Sequence, residues 1–417
     1  MDKFSPDFLL GAATAAHQVE GSNDNSDCWA MEQMEHTSFI EPSLDAVDHY
    51  HRYQEDIRLM ADAGLNAYRF SVEWARIEPE EGHFDDAQAE HYLNVIHCCK
   101  EHGLEPIVTL HHFSSPKWLI RKGGWEAEST VDDFARYVRY IIGKLGNELH
   151  YVCTINEANM GIQVAAIAKR YTLQMQAQAA KAQSADGTVQ VGINLEKMMA
   201  DQKATAEENI KVFGVEKVEN FTSMRTPEGD KIVCRAHEAA RAVIKELYPE
   251  IQSTAGGEEH AKKEWDDEFT HYLPYIQNDD FLGVQNYTRS LMGPEGTLPT
   301  PDGAELTQMN YEFYPEALEH VIRKVAKDFK GDLIVTENGI ATDDDKRRIA
   351  FIEIALTGVQ NCLRDNLPVR GYFHWSLMDN FEWQKGYSMT FGLIAVDRTT
   401  QTRHPKESLS YLGSYHG

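Results

Sequence analysis

Eight short β-rich apolar runs, separated by longer amphipathic stretches, leave this chain few ways to fold. The runs are Phe8 to Gly11, Asn66 to Val72, Pro106 to His111, Tyr151 to Ile155, Val189 to Asn194, Phe281 to Asn286, Leu333 to Thr336 and Val369 to Ser376. Strands that alternate with helical patterns form a parallel sheet covered by helices, because parallel neighbours need a crossover between them. Eight such strands predict a closed (β/α)8 TIM barrel of the α/β class. The intervening stretches have the matching period. In Val47 to Ala63, Val47, Tyr50, Ile57 and Met60 share one face, charges fill the other, and Gly64 supplies a stop. Similar patterns run from Asp86 to His102, Val131 to Leu145, Arg235 to Leu247, Pro315 to Phe329 and Asp344 to Arg364. Met160 to Ser184, rich in Ala and Gln, reads as helix, whereas Thr188 to Thr222 carries no clear pattern. No repeat or linker divides the chain, so residues 1–417 read as a single barrel with an atypical middle segment at 160–275.

Charge narrows the partners. With 66 Asp plus Glu against 40 Lys plus Arg, the formal net charge is -26, a field that repels nucleic acid and anionic lipid. The start, Met1 to Asp7, lacks a basic region followed by an apolar one, and no run of apolar residues is long enough to span a bilayer, so the expected location is cytoplasmic. The six cysteines are scattered without a CxxC pair and read as reduced thiols. His111 and His112 are neighbours on a strand and point to opposite faces, which argues against joint metal ligation. The acidic run Asp343–Asp345 reads as a helix N-terminus favoured by the macrodipole. No metal and no cofactor are expected.

Reacting groups of such a barrel sit where strands stop. Two glutamates stand there: Tyr151 to Ile155 ends in Asn156-Glu157, and Leu333 to Thr336 ends in Glu337-Asn338-Gly339. A strand-end glutamate usually just meets solvent, but two in one barrel mouth are what glycoside hydrolysis requires. One protonates the leaving oxygen, and the other attacks or activates water.

These segments resemble a known family. Thr154-Ile155-Asn156-Glu157, Val335-Thr336-Glu337-Asn338-Gly339 and Gly371 to Trp383 are similar to signature segments of glycoside hydrolase family 1, the retaining β-glucosidase family. Phe8 to Gly21, Tyr68 to Ile77 and Phe391 to Asp397 extend the likeness over residues 1–160 and 279–417, while between them it is thin. The resemblance implies that Glu337 is the nucleophile and Glu157 the acid/base, about 5 Å apart as retention demands. At that separation an ionised Glu337 disfavours ionised Glu157 by roughly 3 kcal/mol, about two pKa units, which keeps Glu157 protonated near neutral pH. It further implies that Arg69 and Tyr287 support Glu337, and that Asn156 meets the sugar 2-hydroxyl. Gln18, His112, Glu382 and Trp383 would bind the remaining hydroxyls, with Trp375 as an aromatic floor.

Departures from the family pattern are Ala158 in place of a proline, Phe113 in place of an indole donor, Gln285-Asn286-Tyr287 after the sixth strand, and Thr390 in place of an arginine. Phe381-Glu382-Trp383 is intact, and a charged Glu382 would repel a 6-phosphate, so a non-phosphorylated glycone is expected. The expectation is thus a retaining β-glycosidase acting on a small carbohydrate. Three alternatives stand beside it: a 6-phospho-β-glycosidase, a net transglycosidase, and a catalytically silent carbohydrate-binding protein. Glycone, aglycone and oligomeric state are not read from the sequence.

Overall fold

Backbone hydrogen bonds join parallel strands into a nearly closed barrel, with two short segments in the fifth place. The computed structural model describes residues 2–165, 168, 195–250, 252–254, 256–257, 269–293 and 296–417. The strands are β1 (Leu9–Ala13), β2 (Ala67–Ser71), β3 (Glu105–Thr109), β4 (Tyr151–Cys153), β5 (two segments, Gln252–Thr254 and Gly256–Gly257), β6 (Phe281–Gln285), β7 (Asp332–Asn338) and β8 (Val369–Trp375). Each pairs with the next, and β8 returns to β1 through the register Leu9 opposite Gly371 to Ala13 opposite Trp375.

The fifth strand departs from the sequence reading. Val189 to Asn194 lies outside the described residues, and the fifth place is taken by Gln252–Thr254 and Gly256–Gly257. The sequence Gln-Ser-Thr-Ala-Gly-Gly has no apolar run. Its strand character comes from backbone bonds, the first segment to β4 and the second to β6.

The helices run close to expectation: α1 (His49–Asp62), α2 (Asp86–Glu101), α3 (Thr130–Leu145), α4 (Leu195–Phe213), α5 (Pro227–Leu247), α6 (Ala317–Asp328), α7 (Asp345–Arg364) and α8 (Glu407–Gly413). Their ends have chemical causes. Asp85 caps α2 by accepting from the backbone N–H groups of Ala87 and Gln88, and Asp344 caps α7 through Lys346. Gly64, at φ +91°, turns the chain after α1 into a conformation that costs glycine little. Two elements exceed the sequence reading. Helix α5 begins eight residues before Arg235, at a Thr226 cap followed by Pro227, and α4 occupies part of the stretch without pattern. Of Met160 to Ser184, the described residues 160–165 and 168 are helical.

Alternate side chains on the strands enter two cores. Leu9, Ala13, Ala67, Ile107, Phe281, Ile334 and Phe373 fill the barrel interior. Leu10, Tyr68, Phe70, Val108, Val152, Leu282, Val335 and Tyr372 pack outward against the helices. Close approach of β1 and β2 needs a glycine: a Cβ on Gly11 would lie 2.2 Å from the Ala67 carbonyl oxygen and 2.8 Å from the Phe373 ring. Gly11→Ala should therefore force the strands apart and cost about 1–3 kcal/mol, read as a lower midpoint of urea denaturation. An unchanged midpoint would show that the strands absorb the methyl group freely.

Candidate active site

Segments at or beyond the C-terminal ends of β3, β4, β6, β7 and β8 supply polar side chains to one cavity, and the way Glu337 enters it depends on a bulge. On β7, Ile334 faces the interior while Leu333 and Val335 face the helices, so strict alternation would turn Glu337 outward. In the ladder, however, Val335 lies opposite Val284 and Glu337 opposite the next residue, Gln285. The extra residue reverses the alternation and brings Glu337 inward. Asn338 then faces out, where its Oδ1 accepts from the Tyr372 hydroxyl at 2.9 Å.

Glu337 is 2% exposed, and each of its oxygens has a donor. Arg69 Nη1 donates to Oε1 at 2.6 Å, and the Tyr287 hydroxyl donates to Oε2 at 2.6 Å. Burial pushes the Glu337 carboxyl above the usual range, and Arg69 and Tyr287 oppose that rise. Burial acts most strongly on the Arg69 guanidinium and would lower it, but the charge of Glu337, the neighbouring Cys153 and the hydrogen bonds to them together hold Arg69 above its ordinary value. Burial is the largest influence on both partners, and the net shift follows it for Glu337 and the summed attractions for Arg69. The geometry decides the state of the pair: two short bonds into an acceptor-only carboxylate favour ionised Glu337.

Arg69 also orders its neighbours. Its Nη2 donates to Asn156 Oδ1 at 2.6 Å, and Gln285 Nε2 donates to the same oxygen at 2.6 Å. With Oδ1 so occupied, the Asn156 amide nitrogen faces His112 Nε2 at 3.2 Å and donates to it. His112 is then neutral, with its proton on Nδ1, in accord with the lowering of its pKa by burial and by the nearby Arg69 charge. His111 points elsewhere, its Nε2 against the Ser115 hydroxyl at 3.0 Å, so the two histidines do not converge.

Glu157 follows β4, is 6% exposed and lines the same cavity as Glu337. Its φ is +43°, and two further cavity residues, Phe113 at +68° and Trp383 at +47°, also hold left-handed backbone. Such conformations persist only where their surroundings impose them. At Glu157 the surroundings include Arg225, buried behind the turn. It donates to the carbonyl oxygens of Ala158 at 2.7 Å and Phe221 at 2.8 Å, and it lies 4.7 Å over the Phe221 ring.

The remaining wall is aromatic and amide. Trp375 stacks on His112 with centroids 5.6 Å apart, and Trp383 stacks on His17 at 5.6 Å. Gln18 Nε2 donates to the Phe381 carbonyl at 2.8 Å and to Glu382 at 3.3 Å. Burial, then the Glu337 charge, push Glu382 up to about 8. The cavity measures about 520 Å³ and is lined by seven of the ten side chains singled out in the sequence: His112, Glu157, Tyr287, Glu337, Trp375, Glu382 and Trp383. Arg69 and Asn156 stand behind this wall, and Gln18 reaches it through Glu382.

Two contributors were missed. Gln285, noted above only as a departure from the family pattern, ends β6 as Glu157 follows β4, so the strand-end rule would have found it. Arg225 has no such signal, because it lies in the segment where the resemblance is thin.

The sequence profile of "Glycosyl hydrolase family 1" matches residues 1–416. The chain is 30% identical to Beta-glucosidase A of Thermotoga maritima, over 97% of this chain and 96% of that protein. It is 29% identical to a 6-phospho-beta-galactosidase of Lacticaseibacillus casei, over 98% and 97% of the two chains. The crystal structure of beta-glycosidase BGL167 superposes with a TM-score of 0.85 at 43% identity, covering 99% of this chain and 96% of that one.

The buried acids make stability depend on pH. Glu382 is raised to about 8 and Glu73 to about 7 by burial, against 4.5 for an unperturbed glutamate. The folded state therefore keeps protons that the unfolded state releases. Their contribution to stability is fully present below pH 4.5 and is lost as pH rises through 7 and 8. Urea denaturation from pH 5 to 8 should show falling stability, and Glu73→Gln should flatten the part of the slope near pH 7. A slope unaltered by that substitution would contradict a protonated Glu73.

Proposed function

Because the chain belongs to glycosyl hydrolase family 1, and is therefore a glycoside hydrolase, we propose that it cleaves β-D-glycosides of glucose-like, non-phosphorylated sugars with retention of configuration. The observation that carries this reading is a pair of buried glutamates, Glu157 and Glu337, that end different strands of one barrel and open on one cavity.

In this reading Glu337 attacks the anomeric carbon while Glu157 protonates the departing oxygen. The bond from carbon to the aglycone breaks as the glycosyl ester forms. Ester formation removes the Glu337 charge, which makes Glu157 a better base for deprotonating the water that releases the sugar. Arg69 and Tyr287 hold the attacking carboxylate ionised and aimed. Asn156, fixed by Arg69 and Gln285, is placed for the 2-hydroxyl. Gln18 Oε1, His112 Nδ1 and Gln285 Oε1 are buried without a hydrogen-bond partner, as expected of atoms reserved for ligand hydroxyls.

The protonation of Glu382 bears on the choice of a non-phosphorylated glycone. Raised to about 8, it is largely protonated near neutral pH, so charge repulsion is not what would exclude a phosphate. It can instead donate to one sugar hydroxyl and accept from another. What argues against a phosphorylated substrate is the cation supply. Among the described residues lining the cavity the only Lys or Arg is Arg289, and Glu312 holds it through bonds of 2.9 and 2.8 Å. A cytoplasmic location belongs to the same proposal; among the described residues no helix is long and apolar enough to cross a membrane.

Nitrophenyl β-glucoside, β-galactoside, β-fucoside and 6-phospho-β-glucoside together test reaction and glycone. Turnover of neutral glycosides without the phosphorylated one is expected, and preference for the phosphorylated one would reverse the glycone assignment. Glu337→Gln should reduce turnover to near background, since double displacement has no other nucleophile; substantial residual rate would remove that assignment. Glu157→Ala should slow alkyl glycosides by about 10²–10⁴-fold, slow activated aryl glycosides less, and respond to azide. Equal losses on both substrates would contradict an acid role.

A further inference from the structure

Outside the cavity, a group of side chains beside α5 has the chemistry of a metal site, and it is independent of the glycosidase reading. We propose that Asp230, Cys234 and His271 bind a thiophilic divalent cation of the Zn²⁺ type and so tie α5 to the chain that leads into β6. Among the described residues these three form the one group of three or more His, Cys, Asp or Glu whose ligand atoms converge, all within 4.8 Å of one another.

Local structure brings them together. Asp230 and Cys234 stand four residues apart in α5, so their side chains lie one turn from each other on the same helix face. Both are buried. His271 comes from the chain just before the short helical turn Leu273–Ile276, and its side chain is 39% exposed. The ion thus meets two anchored ligands, a third at the surface, and an approach from solvent. No ligand spacing shows in the sequence, because the third ligand lies far along the chain from the other two.

Donor type selects the metal. One carboxylate, one thiolate and one imidazole match Zn²⁺, whereas Ca²⁺ and Mg²⁺ need more oxygens than a single carboxylate supplies. The carboxylate is already aimed: the Tyr272 hydroxyl donates to Asp230 Oδ1, Arg225 Nη1 lies 3.9 Å from that oxygen, and Oδ2 faces His271 Nε2 at 2.6 Å. A hydrogen bond on one carboxylate oxygen orients the other toward a metal. Charge balance requires the cysteine. A dication and Arg225 sharing one buried carboxylate would leave excess positive charge, and the Cys234 thiolate supplies the second negative one. Burial pushes the Cys234 thiol up, so the metal-free protein holds it protonated. On binding, the Sγ–H bond breaks and its proton leaves to solvent, a proton on Nε2 passes to Nδ1 or solvent, and Sγ, Nε2 and Oδ2 bond to the metal. Nitrogen and oxygen ligands at about 2.0 Å in a tetrahedron stand about 3.3 Å apart, so His271 moves outward by less than about 1 Å, which its exposure permits.

Cobalt reports the site. The intact chain, free of any metal-binding tag, is titrated with Co²⁺; a sulfur-to-cobalt charge-transfer band should appear, saturate at one ion per chain and vanish when Zn²⁺ is added. Cys234→Ser should abolish the band. His271→Ala, at an exposed position, should weaken Co²⁺ binding by about tenfold or more, since even the groups that hydrogen-bond to metal ligands are worth that much. No charge-transfer band in the unaltered chain overturns the assignment. So does a band that survives Cys234→Ser, as it would if Cys98 and His102, with Sγ 3.8 Å from Nδ1, were the ligands. An affinity unmoved by His271→Ala overturns it as well, and that variant decides the matter where Cys234→Ser does not fold. The glycosidase reading stands under every one of these outcomes, because none of them reads turnover.

Discussion

A buried ion pair, Arg69 with Glu337, is the constraint on which the site is organised. Taking two charges out of water costs several kcal/mol per ion, and mutual attraction offsets this only if the remaining donors and acceptors are also satisfied. Here they largely are. Besides Glu337, Arg69 donates to the Thr336 carbonyl at 3.2 Å and to Asn156, and the second Glu337 oxygen is taken by Tyr287. The partners come from β2, β4, β6 and β7, so the network exists only when the ring is closed with those strands in register. Loss of one partner would leave a buried charge uncompensated, which links the integrity of the barrel to the ionisation of the carboxylate it presents.

Orientation follows from the same network by elimination. Two donors on Asn156 Oδ1 leave its amide nitrogen only one direction, toward His112, and that sets the histidine tautomer without any charged group touching the ring. The left-handed backbone at Phe113, Glu157 and Trp383 belongs with this economy. Phe113 and Glu157 stand just beyond β3 and β4 and Trp383 opens a short turn further along after β8, and the surrounding packing holds a conformation that a free loop would relax. Arg225 illustrates the support. Its bonds to Ala158 and Phe221 fasten the Glu157 turn to the segment before α5.

Much of the fold was legible because the hydrophobic pattern and the elements share a cause. Seven strands and six helices lie close to their apolar runs and amphipathic stretches, since a strand buried on both faces must be apolar throughout and a covering helix must be apolar on one side. β5 carries no apolar run in the sequence; its two short segments are recognised only by their ladder bonds, and backbone bonds leave no trace in residue type. The start of α5 was missed although Thr226 and Pro227 form a recognisable cap, because the amphipathic pattern was followed only from Arg235 onward.

The sequence by itself determined which residue types stand at strand ends: two glutamates, an arginine inside β2, and the amides and aromatics that a sugar requires. It also placed them within motifs long enough to identify the family. Only the tertiary structure decided how they act together. The bulge that turns Glu337 inward, the shared acceptor that orients Asn156 and the protonation of Glu382 near neutral pH all depend on groups far apart in sequence. The physical reason is that burial, charge and hydrogen bonding depend on distance in space, and residues such as Arg69 and Glu337 become neighbours only when the barrel closes.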